Sequence, residues 1–308
     1  MTRTPLTVIG GFLGAGKTTL LNHVLRHAGR RLTVLVNDFG AINIDADLVL
    51  KHEGNTLSLA NGCVCCSIGD GLMEALARIA REPRRPDHVV VEASGVADPG
   101  RIGEIARIDP SFRLQGIVVL ADAERLEALA ADKYVGDTVR RQVEAADLVL
   151  LNKIDRVDDA ARVRAAAWIR RHAPAAQLVE TVEAAVPTAL VLGLEHADAD
   201  AFGRESLHEH GHADAFETWS FTSPRPVRPD ALRQVLDALP DGILRGKGVL
   251  LVENDPRPAI LHGIGRRWSL TPDAAWTGPP GTRLVLIGLA GRLDPADLER
   301  RFAAALAS

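Results

Sequence analysis

Gly11, Phe12, Leu13, Gly14, Ala15, Gly16, Lys17 and Thr18 read GxxxxGKT, a spacing whose chemistry is phosphate binding. Glycines let backbone N–H groups close around phosphate oxygens, Lys17 reaches the outer phosphates, and the Thr18 hydroxyl is a ligand for Mg2+, with Thr19 completing the nucleotide-binding set. Asn152, Lys153, Ile154 and Asp155 give a second signal, NKxD directly after an apolar run. Guanine presents N1–H and its 2-amino group as parallel donors, which the Asp155 carboxylate can accept; adenine, with an acceptor at N1, cannot satisfy it. GTP is therefore expected in preference to ATP. Between the two motifs, Glu92 ends an apolar run and is followed by Ala93, Ser94 and Gly95. A carboxylate there suits a Mg2+-bound water, and the Gly95 N–H suits a γ-phosphate. Asp122 ends the next apolar run and is read as structural, on the same rim.

A third group of residues points to metal. Cys63, Cys65 and Cys66 are the only cysteines in the chain. An odd number so close together makes no disulfide framework, and in a reducing compartment such a cluster binds metal or does redox chemistry. Alternate thiolates on an extended segment can converge on Zn2+ or Co2+, with His, carboxylate or water as a fourth ligand, and three protein ligands leave the ion exchangeable. Inert buried cysteines and a redox switch are the competing readings. His208, His210 and His212 alternate, so an extended segment would put all three imidazoles on one face, where they could collect metal; a solvated linker fits the same residues.

The elements that must carry these residues follow from patterning. Short β-branched apolar runs at 7–9, 32–36, 89–91, 117–121, 148–151 and 178–181 alternate with helical patterns at 17–27, 72–80, 138–145 and 160–172. This predicts an α/β fold, a P-loop NTPase domain with a mostly parallel sheet, over residues 1–194. Residues 195–214 are rich in His and acidic side chains and read as an exposed linker. Residues 215–308 predict a smaller α+β domain, with strands at 218–221, 248–252 and 284–287 and helices at 230–238 and 295–307. The formal net charge of −4 and the absence of a basic stripe argue against nucleic acid. No run of about 18 apolar residues predicts a membrane span, and no export segment is evident, so a cytoplasmic protein is expected.

The motifs GGFLGAGKTTLLN, VNDFG, NGCVCCS, VVVEASGVADP and LLNKID, in this order, resemble the CobW-type metallochaperone GTPases, relatives of the hydrogenase and urease maturation GTPases HypB and UreG. LPDGILRGKGVLLVE, HGIGRRW and TRLVLIG extend the resemblance to the family's C-terminal domain. The resemblance implies that Cys63, Cys65 and Cys66 bind metal and that residues 37–45 form a nucleotide-responsive switch. It also adds Asp38 to Lys17 and Glu92 as catalytic residues, and to Thr18 and Glu92 as magnesium ligands. Many relatives read NEFGExGID, whereas this chain has Asp38, Ala41 and Asn43. Asp38 keeps a carboxylate on a shorter arm, and Ala41 removes one that could bind metal. The expected function is GTP hydrolysis coupled to delivery of a transition metal, with GTP, Mg2+ and Zn2+ or Co2+ bound. The expected partners are a client metalloprotein and, as an option, a second copy of the chain in a homodimer. A P-loop kinase with a structural metal and a redox-sensing regulatory GTPase are the alternatives.

Overall fold

The apolar runs of the N-terminal half become one sheet because strands buried on both faces read as continuous Val, Ile and Leu. The computed structural model describes residues 3–36, 56–58, 68–194, 215–273, 275–276 and 278–307. The chain divides into two units, Met1–Leu192 and Gly193–Ser308.

In the first unit, strands β1 (Thr4–Gly11), β2 (Leu32–Val36), β3 (Thr56–Ser58), β4 (His88–Glu92), β5 (Phe112–Asp122), β6 (Leu148–Asn152) and β7 (Gln177–Thr181) pair in the order β3-β2-β4-β1-β5-β6-β7. Every pairing in this sheet is parallel. Helices α1 (Lys17–His27), α2 (Ile68–Arg81), α3 (Pro99–Ile108), α4 (Leu126–Ala131), α5 (Gly136–Glu144) and α6 (Asp159–His172) lie between successive strands, and α7 (Thr188–Leu192) follows β7. Leu6, Val8, Val89, Val91, Val149 and Leu151 are sealed in the core. From β1 the chain runs to one side of the sheet for β2 to β4, then to the other for β5 to β7. The C-terminal end of β1 is thus the switch point at which α/β sheets bind ligands. β3, α3, α4 and α7 had no counterpart in the expected elements, and the other helices and strands of this unit overlap the expected ranges.

The second unit is a five-stranded antiparallel sheet, β11-β10-β9-β12-β8, with strands β8 (Phe216–Ser223), β9 (Ile243–Val252), β10 (Asp255–Ile264), β11 (Arg267–Pro272) and β12 (Thr282–Leu289). With α8 (Pro229–Asp237) and α9 (Pro295–Ala304) it forms the expected α+β architecture. Leu232, Leu298 and Phe302 from the helices share a core with Trp219, Phe221 and Leu286 from the sheet, and Trp219 and Phe302 have ring centroids 5.4 Å apart. β10 and β11 were not foreseen. Gly263 and Gly265 break the apolar alternation there, and the pair is set by a tight turn in which Gly265 takes φ +55°. Gly246 and Gly263 leave room for the Trp268 indole, whose Cζ3 would stand 2.3 Å from a Cβ on Gly263. The ring supplies the apolar cover that the glycines lack.

Trp268→Ala should therefore destabilise the second unit by about 3 kcal/mol, the usual cost of deleting a packed aromatic. Denaturant unfolding followed by fluorescence checks this; a loss under about 0.5 kcal/mol would mean that the indole is not part of the core.

Candidate functional site

The phosphate loop leaves β1 at Gly11, whose φ of +132° admits only glycine in comfort, and where a Cβ would come 2.4 Å from the Leu120 carbonyl oxygen. Gly14 and Gly16 also have positive φ, and Ala15 N–H closes the turn onto the Phe12 carbonyl at 3.1 Å. α1 then begins with no side chain capping its N-terminus and no acid in its first turn. α3, α6 and α9 are instead capped by Asp98, Asp158 and Asp294. The uncapped N-terminus of α1, with its positive end, suits an anion, as the sequence predicts. Lys17 is 7% exposed, and its ammonium donates to the Phe12 carbonyl at 3.4 Å, so the charge folds back over the loop.

Glu92 ends β4 in register with Ile9 of β1 and Val36 of β2, and is 2% exposed. The Thr18 hydroxyl donates to its Oε1 at 3.2 Å. A hydroxyl and a buried carboxylate in contact form a hard oxygen pair that fits Mg2+, Thr18 directly and Glu92 through a bound water. Gly95 lies against the loop from the other side. A Cβ there would sit 2.9 Å from the Leu13 nitrogen, so only glycine permits the approach.

On the opposite side of β1, Asp122, Asn152 and Thr181 stand in register at the ends of three neighbouring strands. Asn152 is 2% exposed; its Nδ2 donates to the Ala15 carbonyl at 2.9 Å and its Oδ1 accepts from Ala184 N–H at 2.9 Å. Lys153 adopts φ +62°, a strained value for lysine that costs on the order of 1 kcal/mol. Two charge-assisted bonds hold it there: Nζ donates to the Gly14 carbonyl at 2.7 Å and to Asp122 Oδ2 at 2.6 Å. Asp122 also accepts Glu124 N–H at 3.0 Å. Asp155 is exposed in the 3-10 turn Ile154–Arg156 that follows, open to a base.

Lys17, Thr18, Glu92, Gly95, Asn152 and Lys153 are thus gathered around one loop, with Gly11, Gly14, Ala15 and Gly16 forming it and Thr19 in the first turn of α1. Asp38, residues 37–45, the cysteines Cys63, Cys65 and Cys66, and His208, His210 and His212 lie outside the described residues. Two contributors were not foreseen as part of the site. Asp122 belongs to the NKxD apparatus through Lys153, and its place at the end of an apolar run was the available signal. The segment after β7 places Glu183 and Ala184 at φ +53°, which aims Ala184 N–H at Asn152, and nothing in TVEAAV announces that geometry.

Residues 5–180 match the CobW/HypB/UreG nucleotide-binding domain, and residues 216–306 match the cobalamin synthesis protein cobW C-terminal domain. Zinc chaperone CobW of Pseudomonas aeruginosa is 31% identical across 100% of this chain and 92% of its own length. Zinc chaperone YjiA of Escherichia coli is 29% identical, covering 97% of each protein. Among solved structures, Zn(II)-bound YjiA GTPase from E. coli superposes with a TM-score of 0.48 at 22% identity, over 99% of each chain. With one family matched over more than half of its residues and a relative aligned along its whole length, the chain belongs to the CobW/HypB/UreG family of nucleotide-binding proteins.

Proposed function

We propose that this protein hydrolyses GTP and uses the nucleotide state to hold and release a transition-metal ion, Zn2+ or Co2+, for a client metalloprotein. The observation that carries this is the junction of NKxD with the phosphate loop: Asn152 and Lys153 hold Ala15 and Gly14, so the guanine-reading turn and the phosphate cradle are one rigid piece. A base seated against Asp155 then fixes where its phosphates lie. The enzymatic activity is that of a GTPase. Water attacks the γ-phosphorus, the bond to the β–γ bridging oxygen breaks, and GDP and phosphate leave. Lys17 and the N-terminus of α1 stabilise the charge that develops on the phosphate oxygens. Bound Mg2+ would neutralise the outer phosphates; Thr18, Glu92 and Asp38 are the residues that would hold it. The Gly95 N–H adds a donor toward the γ-phosphate.

Cys63, Cys65 and Cys66, as thiolates, are the proposed holders of the cargo, and the names of the relatives favour zinc. Topology supports coupling. β2 ends at Val36, β3 at Ser58 and β4 at Glu92, all at the end of the parallel sheet where the phosphate loop leaves β1, and the proposed switch and the cysteines follow β2 and β3 in sequence. In the proposed cycle, GTP orders the switch and cysteine segments into a metal-holding state, and hydrolysis relaxes both. The client, a second copy of the chain and action in the cytoplasm belong to the same proposal; among the described residues no helix is long and apolar enough to cross a membrane.

Coupling has a thermodynamic signature. If GTP tightens metal, metal must tighten GTP by the same factor, about 5- to 150-fold for couplings of this type. Replacing Cys63, Cys65 and Cys66 by Ser should erase the metal-dependent part of GTP affinity and preserve metal-free binding. Titrations of Zn2+ with and without GTP, and of GTP with and without Zn2+, close the cycle, and equal metal affinity in the GTP, GDP and empty states would refute delivery.

Base selection rests on Asp155. Asp155→Asn should shift preference from GTP toward XTP, because xanthine's C2 carbonyl needs a donor; an unaltered ranking of GTP, XTP and ATP affinities would remove Asp155 from the site. Asp122→Ala frees the Lys153 ammonium from its carboxylate and should weaken GTP by roughly tenfold, the value of a charged hydrogen bond of about 1.5 kcal/mol. Calorimetric titration of GDP and GTP with this variant measures the loss directly.

A further inference from the structure

Gln142 on α5 is 1% exposed, and its carboxamide donates both hydrogens to one short connection: Nε2 lies 3.1 Å from the Gly95 carbonyl oxygen and 2.9 Å from that of Ala97. β4 ends at Glu92 and α3 begins at Pro99, so neither carbonyl belongs to a strand or a helix. Within the connection, Ala97 N–H closes a turn onto Ser94 at 3.0 Å, and Asp98 caps α3 through Gly100 N–H at 2.8 Å. The position of Gly95 suits glycine, because a Cβ would stand 2.9 Å from the Leu13 backbone nitrogen. Glycine is also the residue with most backbone freedom, and here it sits where the phosphate loop is approached. Gln142 removes that freedom from outside, by anchoring the carbonyl on the far side of the same residue.

We propose that Gln142 is a positioning residue for the nucleotide reaction. It touches no nucleotide. By holding Gly95 and Ala97, it keeps the Gly95 N–H aimed at the outer phosphate and the segment after Glu92 packed on Leu13. The role rests on the GTPase activity proposed above. GDP lacks the γ-phosphate, so the effect falls on GTP and its transition state and spares GDP.

Gln142→Met keeps the volume and removes both donors. It should lower kcat by ~10- to 100-fold, as loss of an aligned donor does. It should also weaken a non-hydrolysable GTP analogue by ~10-fold relative to GDP, with GDP affinity held within about twofold. Gln142→Glu puts an acceptor against two carbonyls; protonation returns one donor, so its turnover relative to the unmodified protein should rise as pH falls from about 8 to about 6. Turnover by the unmodified protein, with a Q142M kcat unchanged or both nucleotides weakened by one common factor, overturns the role of Gln142 and leaves the GTPase intact. An unmodified protein that releases no phosphate from GTP overturns both. Should Q142M fail to fold, hydrogen exchange in the unmodified protein decides. Stronger protection of residues 93–98 by the GTP analogue than by GDP supports the role, and equal protection overturns it.

Discussion

The carboxamide of Asn152 is the contact on which the nucleotide site depends. Its nitrogen and oxygen bond two backbone groups from different segments, the Ala15 carbonyl and the Ala184 N–H. Aspartate would lack the donor, and glutamine would overreach by a methylene. The amide also occupies the space that Gly16 leaves, since a Cβ there would come 2.5 Å from Nδ2. Gly16 is the residue at which α1 starts. The N-terminus of α1 is therefore set from β6, two strands away, and from the turn after β7.

Charge is distributed around that frame with economy. The Lys153 ammonium is neutralised by Asp122 and anchored to Gly14, so it fixes the loop and adds little net field. Lys17 folds a cation over the loop, and the N-terminus of α1, which no side chain caps, lies beside it. Positive potential is concentrated where the outer phosphates of a nucleotide would lie, and the guanine end carries the exposed carboxylate of Asp155.

Much of this was legible from the chain. GxxxxGKT and NKxD announce themselves because their chemistry sits in consecutive residues, and the buried strands because they are unbroken apolar runs. The remainder depends on partners far apart in sequence. Gln142 meets Gly95 at a separation of 47 residues with no local pattern to mark it, and Lys153 meets Asp122 at 31, hinted at only by the place of Asp122 at the end of an apolar run. α3 escaped notice because Gly100 and Gly103 dilute its apolar face. Gly103 is nevertheless required there, since a Cβ would stand 2.8 Å from Ile117 Cδ1. Helix packing against the sheet chose a residue that weakens the helical signal. The two domains were read from a change in periodicity, whereas β10 and β11 needed the Trp268 ring to make their glycines intelligible.

The bonds that close the site also dictate when it can form. Ala15 and Asn152 are 137 residues apart, Gly14 and Lys153 are 139 apart, and the Thr7 hydroxyl in β1 reaches the Val191 carbonyl across 184. The strand that is synthesised first is thus secured by almost the last residues of its unit. During translation the phosphate loop must emerge and wait, with its strand able to pair only as β4 and then β5 arrive. Parallel pairing over such separations is slow, because loop closure is unfavourable until the distant contacts exist. The nascent first unit therefore presents β1 as an unpaired apolar strand until β4 emerges near the middle of its synthesis, and that interval is where assistance from a folding chaperone would act.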